Sequence, residues 1–306
     1  MRYTSTFNII YNKLLSTRTK AQSEKVILTI AIASFIIHLT IIYLVDFGII
    51  PLTEPNDLLS SPIAAIYTPF SFILVYEVYL LIHYLPKSIT TYIGKQYEII
   101  TLIIIRRLFK DLSNISLSTD WFTSAYDLQL TYDLVASVLL FFLIFLFNTQ
   151  NKGTLNQPTI LTPEHEKSIQ RFIKIKKIIA TILVPILILV ALYSLGSWLA
   201  SATHISGAKE VSIKNINNIF FEQFFTILII ADVVLLLFSL FHTDDFHKVI
   251  RNSGFIISTI LIRLSFGVTG LLNTALIVIA ILFGLLILVI HNLYQKKAIE
   301  QHLANP

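Results

Sequence analysis

Residues 268–292 read VTGLLNTALIVIAILFGLLILVIHN, a stretch without aspartate, glutamate, lysine or arginine. A helix needs about 20 apolar residues to cross the hydrocarbon core of a bilayer, so this stretch predicts a membrane-spanning helix. Further apolar blocks of similar length predict spans at about 26–46, 62–85, 128–148, 178–200 and 217–241. The chain is therefore predicted to be an all-α integral membrane protein.

The composition of the whole chain agrees with this class. Charged residues make up 13% of its 306 residues and hydrophobic residues 55%, whereas soluble domains contain about 25% charged residues. A water-soluble fold of this length cannot cover its surface with so few charges. The basic residues behind the net charge of +5 lie beside the apolar blocks, which argues against a nucleic-acid partner. The absence of cysteine from the sequence excludes disulfides and thiolate metal sites.

Two weaker blocks, at 87–110 and 246–266, decide the number of spans because both contain charged and polar residues. With eight spans and a cytoplasmic N-terminus, 17 of the 23 basic residues lie on the cytoplasmic side. Without the two weaker spans, the basic segment 149–177 would face outward, against the tendency of short basic loops to stay in the cytoplasm. We therefore predict eight spans with both termini inside, in the bacterial cytoplasmic (inner) membrane.

The order of features in the first four spans returns in the last four. FSFILVYE at 70–77 resembles FTILIIAD at 225–232, and IIIRRL at 103–108 resembles TILIRL at 259–264. An even number of spans per repeat gives both halves one orientation, so we predict two parallel four-helix repeats related by an axis along the membrane normal. Chance similarity between helices rich in isoleucine and leucine is the alternative. The predicted parts are a cytoplasmic N-terminal segment (1–25), the first repeat (26–148), a cytoplasmic linker (149–163), the second repeat (164–295) and a cytoplasmic tail (296–306).

A long helix is predicted to begin at the end of the linker. Thr162 is typical of a helix N-cap and Pro163 of the first helical position. From there the helix is expected to continue unbroken into the fifth span. Its basic stretch, Lys167 to Lys177, would lie at the inner membrane surface, where it can bind anionic lipid.

Glu77 and Asp232, on the second and sixth predicted spans, are the strongest functional candidates. A charge at mid-bilayer costs about 2.5–3.5 kcal/mol or more, so such a residue normally faces the protein interior and has a partner. Glu77 and Lys95 are equally far from Pro86, and an antiparallel hairpin would place them at one depth. Asp232 and Arg251 flank the later turn in a similar way. These pairs serve either an ion or proton path or only the cohesion of the two hairpins.

Three arginines and one mixed cluster are further candidates. Arg106, Arg107 and Arg263 are predicted near the outer ends of the third and seventh spans, where they either line an outer vestibule for anions or extend to lipid headgroups. The segment His242–His247 contains two histidines and two aspartates, residue types that bind divalent ions. Its spacing matches no known metal site, and Asp244 is interpreted as a helix cap, so no metal and no cofactor is predicted.

The sequence lacks the P-loop, zinc-protease and serine-hydrolase motifs, so no enzyme is predicted. One hypothesis is a channel or transporter for a small ion or small solute, with a path between the two pseudo-symmetric halves. The other is a non-catalytic structural or accessory subunit of a larger membrane complex. The expected partners are the lipid bilayer and either further copies of this chain or other membrane subunits.

Overall fold

A computed structural model describes residues 2–49, 62–112, 125–155, 163–203, 213–240, 246–268 and 270–304. In these ranges the chain is helical apart from short turns. The helices are α1 (Arg2–Leu15), α2 (Thr17–Asp46), a 3-10 helix (Pro62–Ile66), α3 (Tyr67–Tyr84), α4 (Ile89–Leu112), α5 (Ala125–Leu155), α6 (Pro163–Thr203), α7 (Ile213–Leu240), α8 (Phe246–Ser265) and α9 (Leu271–Ala304). Each predicted span overlaps one of the helices α2 to α9, in order.

Several of these helices are long and apolar enough to cross a membrane. In the described residues they are Phe7–Asp46, Asp127–Asn151, Ile169–Tyr193 and Leu271–Lys297, with shorter apolar helices at Thr68–Tyr84 and Gln223–Ser239. The two weaker blocks form α4 and α8, which are not among them. The chain is thus an all-α membrane protein, as the sequence predicts.

Three details of the helix boundaries bear on the predictions. The helix expected from Pro163 into the fifth apolar block is confirmed, because α6 is continuous and contains Pro185. Its predicted cap, Thr162, lies outside the described residues. The polar N-terminal segment contains a helix that the sequence analysis did not predict, α1, and α9 extends through most of the predicted tail.

Packing divides the chain into two compact units. The first unit is Met1–His83 with Glu98–Val138, and the second unit is Tyr84–Tyr97 with Leu139–Pro306. These boundaries fall at the end of α3 and inside α4 and α5 rather than in the linker 149–163. The division by packing therefore differs from the division by sequence repeat, and the repeat itself stays a prediction.

Polar side chains join the helices of the first unit. The Tyr76 hydroxyl of α3 donates to the Glu24 carboxylate of α2 at 2.8 Å. The Tyr79 hydroxyl donates to the Leu14 carbonyl of α1, also at 2.8 Å. These bonds attach α3 to the N-terminal helices.

Close helix contacts characterise the second unit, in which α8 packs against both α7 and α9. A Cβ atom added at Gly284 of α9 would overlap the Tyr97 hydroxyl of α4, and one added at Gly254 would lie 2.8 Å from Ile287. Small residues at such contacts let membrane helices approach closely. The close approach brings the polar groups of α4, α8 and α9 within hydrogen-bonding distance of one another.

The helix α8 buries several polar side chains together with Phe255 and Ile262, and it exposes an apolar stripe. Its buried residues include Asn252, Ser258, Thr259 and Ser265. Its exposed face carries Ile250, Ile257 and Leu264, whose exposed fractions are 42%, 48% and 58%. These three residues are seven positions apart and form one apolar stripe.

Candidate functional site

A buried carboxylate, Asp232 of α7, lies at the centre of a polar cluster in the second unit. The residue is only 5% exposed. Its Oδ1 accepts a hydrogen bond from the Tyr92 hydroxyl at 2.9 Å, and its Oδ2 accepts one from Gln96 Nε2 at 3.2 Å. Each carboxylate oxygen is therefore held by an uncharged donor.

Local sequence explains why α4 supplies both donors. Ser88 precedes the helix, and its Oγ accepts a hydrogen bond from the Thr91 backbone N–H at 3.2 Å, as an N-cap residue does. Tyr92 and Gln96 follow at a spacing of four residues, which places both side chains on one face of the helix.

Lys176 of α6 is the cation of this cluster. It is 4% exposed, and its Nζ donates to the Lys87 carbonyl at 2.9 Å in the turn before α4. Its charge acts favourably on the Asp232 carboxylate. Lys176 belongs to the basic stretch predicted to face lipid but points into the protein, whereas Arg171 and Lys174 are exposed.

A cavity of about 30 Å³ lies beside Asp232. Its polar lining comes from Tyr92, Lys176, Asp232 and Asn252, and the rest consists of leucine, isoleucine and phenylalanine side chains. A water molecule needs roughly 10–15 Å³ of such space. The cavity therefore has room for one or two water molecules next to a carboxylate and an ammonium group.

Hydrogen bonds extend the cluster further along α4 and α8. Thr259 Oγ1 donates to Gln96 Oε1 at 2.8 Å, which orients the amide so that its nitrogen faces Asp232. The next contact joins Tyr97 and Ser258 at 2.7 Å. Because the Ser258 hydroxyl donates to the Ala280 carbonyl at 2.7 Å, Tyr97 is the donor to Ser258.

Arg251 belongs to a neighbouring group of residues. Its Nη2 donates to Asn252 Oδ1 at 3.0 Å, and its Nη1 to His291 Nε2, also at 3.0 Å. Arginine is a donor only, so His291 accepts through Nε2. The His291 ring stacks on His247 with 5.2 Å between centroids. The predicted pairing of Arg251 with Asp232 is not found among the described contacts, where the two residues have separate partners.

The other predicted pair is divided between the two units. Glu77 is buried in the first unit, where the charge of Arg106 acts on it. Lys95 belongs to the second unit, and its Nζ lies 5.4 Å from the centroid of the Tyr84 ring. The pairing of Glu77 with Lys95 stays a prediction.

The three arginines assigned to the outer ends of spans have protein partners. Arg106 is buried and donates to the Phe70 carbonyl at 3.2 Å. Arg107 forms a two-bond ion pair with the fully buried Asp133, whose Oδ1 lies 2.6 Å from Arg107 Nη2. Arg263 makes a long contact of 3.4 Å with Thr226 Oγ1. Their role in a vestibule or at headgroups stays a prediction.

Sequence reasoning missed several residues of the site. The sequence contains a pattern that indicates Asn252 and Thr259, because the polar residues of α8 recur on one face of the helix. None existed for Lys176, which is one of several basic residues in its stretch. Residues 242–245 of the segment His242–His247 lie outside the described residues, and within the described part no three His, Asp or Glu side chains converge.

No protein-family model, curated protein or solved structure matches the chain.

Proposed function

We propose that the chain spans the bacterial cytoplasmic membrane eight times, with α4 and α8 included among the spans. The exposed apolar stripe of α8 supports this topology, since isoleucine and leucine side chains are stable against lipid and unfavourable in water. The 20 residues of α8 extend over about 30 Å, the thickness of the hydrocarbon core. Its buried polar face is satisfied by α4, α7 and α9 rather than by solvent.

The function proposed for this protein is transport of a small ion or small solute, with Asp232 as the binding group. The observation that carries the proposal is the water-sized cavity shared by the Asp232 carboxylate and the Lys176 ammonium. Ionisable side chains inside a membrane are costly and typically mark ion or substrate pathways. Glu77, the counterpart of Asp232 in the proposed repeat, is also buried, which agrees with a second site in the first unit.

Reconstitution tests this proposal. Purified protein in liposomes should increase the flux of at least one small ion or solute above the rate of protein-free vesicles. Asp232→Asn should remove that flux, because the amide keeps the shape of the side chain and loses its charge. The matched control is Glu24→Gln, which also removes a carboxylate bonded to a tyrosine hydroxyl, but at an exposed position. Wild-type protein without any flux would contradict the proposal.

A second candidate function is that of a structural subunit of a larger membrane complex. It is supported by the outer face of α5, which exposes Val138, Phe141, Phe142 and Phe145. Such a stripe fits either lipid or the helix of a neighbouring subunit. Purification from native membranes distinguishes the two functions, because a structural subunit should co-purify with other subunits at a fixed stoichiometry. Further copies of this chain are the alternative occupant.

Anionic lipid is the remaining proposed partner. Arg171 and Lys174 of α6 are exposed. They support a smaller lipid-binding surface than the predicted one, which extends from Lys167 to Lys177. Lys176 does not contribute to it, because its ammonium is bound inside the second unit.

A further inference from the structure

We propose that the transported ion is the proton, carried on the Asp232 carboxylate with Lys176 as its charge partner and water in the cavity between them. This inference rests on the proposed transport function and specifies its substrate. It depends on three properties of the site: the size of the cavity, the supply of oxygen ligands and the unused hydrogen-bonding capacity of the two charged groups.

The supply of ligands argues against a metal cation at this site. Calcium takes six to eight oxygen ligands, and magnesium requires octahedral coordination. Asp232 is the one carboxylate that lines the cavity, and both its oxygens already accept hydrogen bonds. The Asn252 carbonyl oxygen, the nearest further ligand, accepts from the Arg251 guanidinium. The Lys176 ammonium would in addition repel a metal ion placed in this cavity.

The same contacts leave room for a proton. Each Asp232 oxygen has two lone pairs and uses one to accept from Tyr92 or Gln96, so either oxygen can be protonated without loss of these hydrogen bonds. Lys176 has three N–H donors, of which one is directed to the Lys87 carbonyl. Its Nζ also lies 5.0 Å from the centroid of the Phe172 ring. The donor that is directed to neither partner can bind water in the cavity, which has room for one or two molecules.

The proton transfer to Asp232 needs no reactant other than water and its hydronium ion. Because the ammonium disfavours a cation in the cavity, water there acts as a relay: it gives one proton to Asp232, where a new O–H bond forms, as it takes one proton from a hydronium ion outside the cavity, which is left as water. Release reverses the step toward a second water molecule. No oxidation or reduction takes place.

The charge of the cluster changes with this step. Before transfer, the Lys176 ammonium and the Asp232 carboxylate carry opposite charges in the lining of one cavity. Protonation of Asp232 leaves the ammonium uncompensated, and the Arg251 guanidinium on α8 repels it. The other titratable group that faces the carboxylate is Tyr92 on α4, which remains a neutral donor. Loading with a proton therefore removes the opposite charge that faces the Lys176 ammonium across the cavity.

We place one end of the route in the turn before α4. Lys87 is exposed in that turn, and its carbonyl accepts the hydrogen bond of the buried Lys176. The ammonium thus connects the surface of the second unit with the cavity. Protons are expected to enter or leave the site along this side chain.

Proton flux into liposomes tests the inference. The vesicles contain a pH-sensitive dye, and valinomycin with potassium on both sides compensates the charge. Wild-type protein should acidify the lumen faster than protein-free vesicles do. Asp232→Asn should reduce the rate to that of protein-free vesicles, and Lys176→Met should lower it, while Asp232→Glu should restore part of it. Glu24→Gln and Lys25→Met, which change exposed charges, should leave the rate unchanged.

Parallel measurements with sodium, potassium and chloride gradients separate the two proposals. Flux of one of these ions without proton flux would overturn the proton inference and leave the transport function standing. Full proton flux in folded Asp232→Asn would also overturn the inference. Wild-type protein that moves neither protons nor these ions would overturn both proposals. The size-exclusion elution profile shows whether Asp232→Asn folds. If it does not fold, Lys176→Met and Asp232→Glu provide the test. Unchanged proton flux in both of these variants would overturn the inference.

Discussion

At the scale of single residues, the second unit holds a carboxylate in a low-dielectric interior with two neutral donors and a distant cation. Hydrogen bonds to an ionised group are about twice as strong as those between neutral groups. Tyr92 and Gln96 therefore offset part of the cost of burying Asp232, and Lys176 adds charge compensation across the cavity. Substitution of each donor should measure its contribution to the free energy of unfolding.

Tyr92→Phe removes the hydroxyl that donates to Asp232 and leaves the ring in place. We expect a loss of about 1–3 kcal/mol in the free energy of unfolding, because a buried charged acceptor loses one of its partners. Thermal or denaturant unfolding in detergent measures the change. The matched control is Tyr76→Phe, whose hydroxyl donates to the exposed Glu24 at 2.8 Å. Equal losses in both variants would show that burial of the acceptor has no effect.

The ion pair of the first unit depends on the shape of the guanidinium. Arg107 binds Asp133 through two nitrogen atoms, and Gln129 adds a third donor at 3.0 Å. Arg107→Lys keeps the charge but cannot form the two parallel bonds. We expect a lower unfolding temperature in detergent, and no comparable decrease for Arg18→Lys at an exposed position. An unchanged unfolding temperature for Arg107→Lys would contradict this account of the pair.

At the scale of helices, α8 determines the interior of the second unit because it carries polar groups to α4, α7 and α9. Asn252 reaches Ser239 of α7, Thr259 reaches Gln96 of α4, and Ser258 reaches the Ala280 carbonyl of α9. Its opposite face is an apolar stripe. A helix with so many polar residues is not recognised as a membrane span from its mean hydropathy, although its exposed surface is apolar.

Gly284→Ala tests the close packing between α4 and α9. The added methyl group would overlap the Tyr97 hydroxyl and displace it from Ser258. Overpacking of this kind costs about 1–3 kcal/mol, which should appear as a lower unfolding temperature. Gly267→Ala is the control, because a Cβ atom there meets only the Leu264 carbonyl at 3.4 Å. A Gly284→Ala protein as stable as the wild type would contradict the packing described here.

At the scale of the whole molecule, topology is the property most directly open to experiment. The sequence contains no cysteine, so single cysteines can be introduced without background labelling. With eight spans, Asn151→Cys should not react with an impermeant thiol reagent applied to intact cells and should react after permeabilisation. Ser118→Cys, in the predicted outer segment between the third and fourth spans, is the positive control. Labelling of Asn151→Cys from outside would reverse the predicted orientation.

The sequence by itself determined the class of protein and the positions of the helices α2 to α9. Apolar length is a local property, so each predicted span corresponds to a helix of the structure. The high cost of a charge in lipid was sufficient to predict that Glu77 and Asp232 are buried. The tertiary structure alone decided the partners of Asp232. Counting along a hairpin gives the depth of a residue but not the rotation of each helix about its axis, and rotation directs Tyr92, Gln96 and Lys176 toward Asp232 and directs Arg251 toward Asn252 and His291.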